Sequence, residues 1–123
     1  MGVKQPTEMP KTWERHFNER NKSAIMALYD DQAVLTMDGN VQVKGKADIE
    51  ATLSAMMTQP NKAVCRCVSC WQAGDTALVR TEWHSTDPTG AVVMKGLAAE
   101  VLRRGSDGLW RFVIDDATYA SRR

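Results

Sequence analysis

The sequence predicts an α+β fold in which three N-terminal helices pack on an antiparallel sheet. Three observations lead there. Apolar residues recur at about one helical turn over residues 12–29 and again over residues 46–57. Turn-forming clusters then punctuate the second half: Gly74-Asp75, Asp87-Pro88-Thr89-Gly90 and Gly105-Ser106-Asp107-Gly108. Between them lie long strand-like runs, so the chain from Ala63 onward is expected to form a meander of four antiparallel strands.

The elements follow in order. Residues 1–11 are polar and are expected to be a flexible N-terminal segment before a single domain spanning 12–120. Thr12 can cap a first helix, with Trp13 and Phe17 one turn apart on its inner face. Asn21 or Lys22 marks a break, and "SAIMALY" supplies a second helix with Ala24, Ile25 and Leu28 turned inward. In "AVLTMDGNVQVKG" two short strands flank Asp38-Gly39-Asn40, a sequence that readily takes the positive backbone angles of a hairpin turn. Gly45 precedes a third helix, "KADIEATLSAMM", whose Ile49, Leu53 and Met56 form one stripe. Pro60 and Asn61 end it.

A chain of 123 residues suits one compact domain with room for a modest pocket. Sixteen basic and fifteen acidic residues leave a net charge of +1 and no field for gripping a phosphate backbone, so no nucleic-acid partner is expected. "MGVKQPTEMP" has no apolar run of the kind a signal peptide or membrane span needs, which makes a cytoplasmic location the expectation. Cys65, Cys67 and Cys70 fall in one strand, where Cys65 and Cys67 share a face and Cys70 points away. That spacing suits reduced, partly buried thiols better than a metal site, and no metal or other cofactor is expected.

Strand alternation suggests where the polar residues go. Closing the last hairpin simply sets Trp110, Phe112 and Ile114 toward the helices with Arg103 beside Trp110. Carried through Asp87–Gly90, the pairing sets His84 opposite Val93, Glu82 opposite Lys95 and Arg80 opposite Leu97. Arg80, Glu82, His84 and Asp116 then share the helix-covered side. Trp83 and Thr81 fall on the outer face, Asp115 points away, and His16 and Arg20 face solvent.

Three helices, a short hairpin and a long sheet in this order resemble the NTF2-like, cystatin-like superfamily, in particular its SnoaL-like and ketosteroid-isomerase-like branch. The residues that carry the resemblance are "MALYDDQAVLTMDGNVQVKGKADI" (26–49), "GDTALVRTEW" (74–83) and "EVLRRGSDGLWRFVIDD" (100–116). The resemblance implies a cone-shaped fold, with helices closing over a strongly curved antiparallel sheet around an apolar cavity. It also implies a homodimer through the outer sheet face. The steroid-isomerase pattern itself has no match: its general-base position falls on Met37 or Thr36, and Trp13 and Phe17 occupy the helix face that would carry its tyrosine.

The expected function is a small-molecule enzyme of isomerase, cyclase or dehydratase type that transfers protons without a cofactor. The alternative is a non-catalytic ligand-binding or structural dimer. The expected catalytic set is His84, Glu82 and Asp116: a cavity carboxylate is a base whose pKa burial raises toward neutrality, and His84 titrates nearby. Arg80 would steady an anion, and Trp13, Tyr29, Trp71 and Arg103 would line the site of a small apolar or cyclic ligand.

Overall fold

Amphipathic spacing yields three α-helices among the described residues: α1 (Met9–Asn18), α2 (Lys22–Met26) and α3 (Lys46–Met57). The computed structural model describes residues 1–37 and 41–119. The Asp38–Asn40 turn and Ala120, the end of the expected domain, lie outside them. Within α1, Trp13 and Phe17 stack one turn apart with centroids 4.9 Å from each other. Residues 1–11 are joined to the fold: Val3 bridges to Trp110, Pro6–Glu8 form a 3-10 turn, and Met9 is fully buried.

Arg20, expected in solvent, is half-buried and has a positive φ of 56°. Its guanidinium lies over the Phe17 ring and donates to the carbonyls of Phe17, Gln59 and Asn61. One side chain thus ties the end of α1 to the loop after α3. Gly45, at φ 82°, opens α3 where a side chain would be strained.

Among the described residues six strands form: β1 (Tyr29–Met37), β2 (Val41–Lys44), β3 (Lys62–Ala73), β4 (Thr76–Thr86), β5 (Val92–Arg104) and β6 (Trp110–Asp116). They form one sheet in the order β2-β1-β6-β5-β4-β3. This corrects the expected architecture. The sheet is mixed, because β1 runs parallel to β6. It is also open, with β2 and β3 as unjoined edges, so it is neither closed nor strongly curled into a cone. Turn chemistry specifies direction only between successive strands, and β1 and β6 are separated by most of the chain. Of the two edges, α3 packs against β2 and its neighbour β1.

Two bulges set the faces. In β6, Leu102 of β5 pairs with Phe112 and Val101 with Ile114, which leaves Val113 as an extra residue. In β3, Cys67 pairs with Thr81 and Ser69 with Arg80, leaving Val68 extra. The last hairpin is also one residue longer than its simplest closure, so Arg104, not Arg103, faces Trp110 and lays its guanidinium 5.3 Å from the indole. Trp110 and Phe112 are buried as expected, but the Val113 bulge turns Ile114 out and Asp115 in. Inside, Tyr29 pairs with Phe112 across β1 and β6, rings 4.8 Å apart, among Leu28, Val79, Leu102 and Ile25.

Candidate functional site

The inner face of the sheet, α1 and α3 enclose a cavity of about 420 Å³. Its wall is mainly apolar, with Trp13 and Phe17 from α1, Leu53 from α3, and Leu35, Val43 and Trp83 from the sheet. Trp83 lies here because its cross-strand partner is Gly96. A Cβ on Gly96 would come within 2.7 Å of the indole, so the bare backbone of β5 is what admits the ring. The indole Nε1 donates to the Ala117 carbonyl at 2.6 Å.

One polar cluster interrupts this wall. Glu100 on β5 and Asp115 on β6 stand directly opposite each other, both buried, both lining the cavity. The two carboxyls are near enough to influence each other's protonation. Thr81 Oγ1 donates to Glu100 Oε1 at 2.7 Å, and Tyr29 Oη donates to Asp115 Oδ2 at 2.9 Å. Trp13 Nε1 in turn donates to Tyr29 Oη at 3.0 Å. Two buried carboxylates so placed repel each other, which favours the pair's keeping one proton.

Burial pushes the Asp115 carboxyl up to about 6, the nearby Asp116 charge adding to it and the Tyr29 hydrogen bond opposing it. Glu100 is raised well above the ordinary carboxyl range, first by burial and then by the Asp115 charge. Burial and the mutual repulsion of the two carboxyls thus raise the proton affinity of the pair as a whole. Tyr29 is also raised well above its usual value, by burial and then by Asp115, and stays a neutral donor. Two acids whose surroundings separate their affinities for one proton can act as base and acid in the same cavity.

Alternation through the longer hairpin and the bulges gives a different face from the expected one. Arg80, Glu82 and His84 pair with Ala99, Leu97 and Lys95. Glu82 is exposed and binds Arg66 at 3.1 Å. Arg80 is on the same side, in a row with Ala99 and Asp116. Asp116 is buried but does not line the cavity. Only His84 of this set reaches the cavity lining, half-buried near Ser85 and Met94. Arg103 is exposed beside Asp30 at 3.3 Å, and Trp71 is 70% exposed on the outer face. Trp13 and Tyr29 do line the cavity.

The structure therefore brings together Tyr29, Glu100 and Asp115, with Thr81, and separates Arg80, Glu82 and Asp116 from them. Glu100 had a visible sign in the sequence, as the lone charge in the apolar run "GLAAEVL". The Val68 bulge also returns Cys70 to the inner side with Cys65 and Cys67. All three thiols are free, and burial pushes Cys65 up to about 12. Among the described residues no group of three or more His, Cys, Asp or Glu is placed to hold a metal ion.

The profile of a family described as "SnoaL-like domain" matches residues 11–113. Solved structures are similar over most of the chain at low identity. A putative calcium/calmodulin-dependent protein kinase type II association domain from Thiobacillus denitrificans ATCC 25259 superposes with a TM-score of 0.81 at 20% identity, covering 96% of this chain and 97% of that one. A ketosteroid isomerase-like protein from Erwinia carotovora atroseptica SCRI1043 gives 0.68 at 21%, with 86% of each chain covered. A protein of unknown function with a cystatin-like fold from Nostoc punctiforme PCC 73102 gives 0.79 at 12%, covering 88% and 83%. No curated protein sequence matches the chain.

Proposed function

We propose that this chain, which belongs to the SnoaL-like domain family, is a small-molecule enzyme that moves protons within its apolar cavity. The observation that carries the reading is the buried Glu100–Asp115 pair, directly opposed at the cavity wall. Asp115, raised to about 6, is the base that takes a proton from a bound substrate. Glu100, which keeps its proton at neutral pH, is the acid that returns one, and Tyr29 and Thr81 hold the two carboxyls in place. His84, at the cavity lining, exchanges protons with solvent. The family includes isomerases, cyclases and dehydratases, all of which need such a step.

The test is hydrogen–deuterium exchange in D₂O, followed by NMR, over a panel of enolisable ketones and lactones with and without an amino group. At least one compound should exchange faster with the protein than without it, and Asp115→Asn should slow that exchange by roughly 10²–10⁴-fold. Binding without accelerated exchange for every bound compound would make the chain a ligand-binding domain instead of an enzyme.

The outer face supports a homodimer. Trp71, Leu78, Val101, Ile114 and Val34 pair in succession across β3, β4, β5, β6 and β1, an apolar row whose Trp71 is 70% exposed. An exposed row of this kind is what an isologous two-fold contact covers. Sedimentation velocity should show a dimer that Leu78→Glu splits into monomers; a monomeric wild type at micromolar concentration would discard this assembly.

A further inference from the structure

The hydrogen-bond polarity of the acid pair restricts what the cavity can bind. The Tyr29 hydroxyl already donates to Asp115 and accepts from Trp13, and the Thr81 hydroxyl already donates to Glu100. The donors nearest the pair are therefore engaged, the proton that the pair keeps lies between its own carboxyls, and what Glu100 and Asp115 offer a ligand on binding is acceptor lone pairs. Among the described residues no Lys or Arg lines the cavity. Arg66, Arg103, Arg104 and Arg111 bind carboxylates elsewhere, those of Glu82, Asp30, Asp75 and Asp107. A ligand carboxylate would enter a low-dielectric space that holds an anion and no fixed cation, and a ligand carbonyl would find its nearest donors engaged. A ligand N–H group, above all a cationic one, meets a buried acceptor of opposite charge. Phe17 already has Trp13 stacked on it and the Arg20 guanidinium over its ring, so the aromatic surface that lines the cavity and can attract a cation is that of Trp13.

Resting on the reading of this cavity as the binding site, we propose that its ligand class is the hydrophobic amines, held as ammonium ions by Glu100 and Asp115 and packed against Trp13 and Phe17. The volume of about 420 Å³ suits a one- or two-ring compound. Amine-bearing substrates would also place the carbon next to nitrogen close to Asp115, where the proposed base acts.

The test needs no variant to be informative. Isothermal titration at neutral pH compares three probes of one shape: 1-naphthylmethylamine, which is cationic, 1-naphthylmethanol and 1-naphthoic acid. The amine should bind about tenfold tighter than the alcohol or better, equivalent to ~1.4 kcal/mol, and the acid should be the weakest of the three. Asp115→Asn, which removes the anion and keeps the shape, should reduce the amine's advantage over the alcohol, a readout that general loss of packing would not produce. Alcohol or acid binding as tightly as the amine overturns the ligand class and leaves the cavity reading in place. No binding by any of the three overturns the cavity reading along with it.

Discussion

Glu82 and Glu100 sit on neighbouring strands and meet opposite fates. Glu82 lies on the outer face against Arg66, both side chains more than half exposed at 59% and 63%. Glu100 lies on the inner face against another acid, Asp115, out of water. The first pair has complementary charge and gains little, because water and ions screen it and two long side chains must be held still. The second has like charge and persists because it keeps a proton and accepts hydroxyls from Thr81 and Tyr29. Solvent access, more than the sign of the partner, decides which acid is chemically unusual.

The largest test of this contrast is Asp115→Ala. It leaves the Tyr29 hydroxyl and the Glu100 proton without their acceptor in a buried site, and urea denaturation should show a loss of about 3 kcal/mol. Glu82→Ala should cost no more than about 0.5 kcal/mol, and less in high salt. Equal losses at the two positions would break the comparison.

A smaller effect sharpens it through pH. Glu100 and Asp115 both bind protons more tightly folded than unfolded. Their contribution to stability is therefore fully present below the unfolded carboxyl value of about 4; the Asp115 share is lost as pH rises through about 6, and the Glu100 share persists to higher pH. Asp30 and Asp107 shift the opposite way, the first by the Gln32 backbone hydrogen bond and the second by Arg111, so the pair is isolated by difference. Between pH 4 and 8 the wild type should lose about 1–2 kcal/mol relative to Asp115→Asn. A constant difference between the two melting series would mean that the pair does not share a proton. Glu82→Gln, the smallest change, should run parallel to the wild type throughout.

Much of the fold was legible locally. The breaks at Asn21 and Gly45, the turns at Gly74, Gly90 and Gly108, and the core positions of Phe17, Trp110 and Phe112 all follow from residues within a few positions of one another. The inward side of Trp13 and Tyr29, both of which line the cavity, was legible for the same reason. The site's acids were not. Extending strict alternation from Trp110 passes Val113, and one unpaired residue there exchanges the two faces, so Asp115 enters in place of Ile114 and Asp116. The faces of β5 and β4 reversed for a separate reason, the one-residue-longer hairpin that pairs Arg104 with Trp110: Glu100, Thr81 and Trp83 turned inward, and Arg80 and Glu82 turned out.

The sequence by itself determined the element types, their order and the apolar stripes that bring helices onto a sheet, because propensity and periodicity act over a turn or a strand. Tertiary structure decided the parallel β1–β6 pairing, the open sheet, the bulges at Val68 and Val113, and hence which acids share the cavity. A bulge changes every facing beyond it by one residue, and whether it forms depends on packing against distant strands that no local window contains.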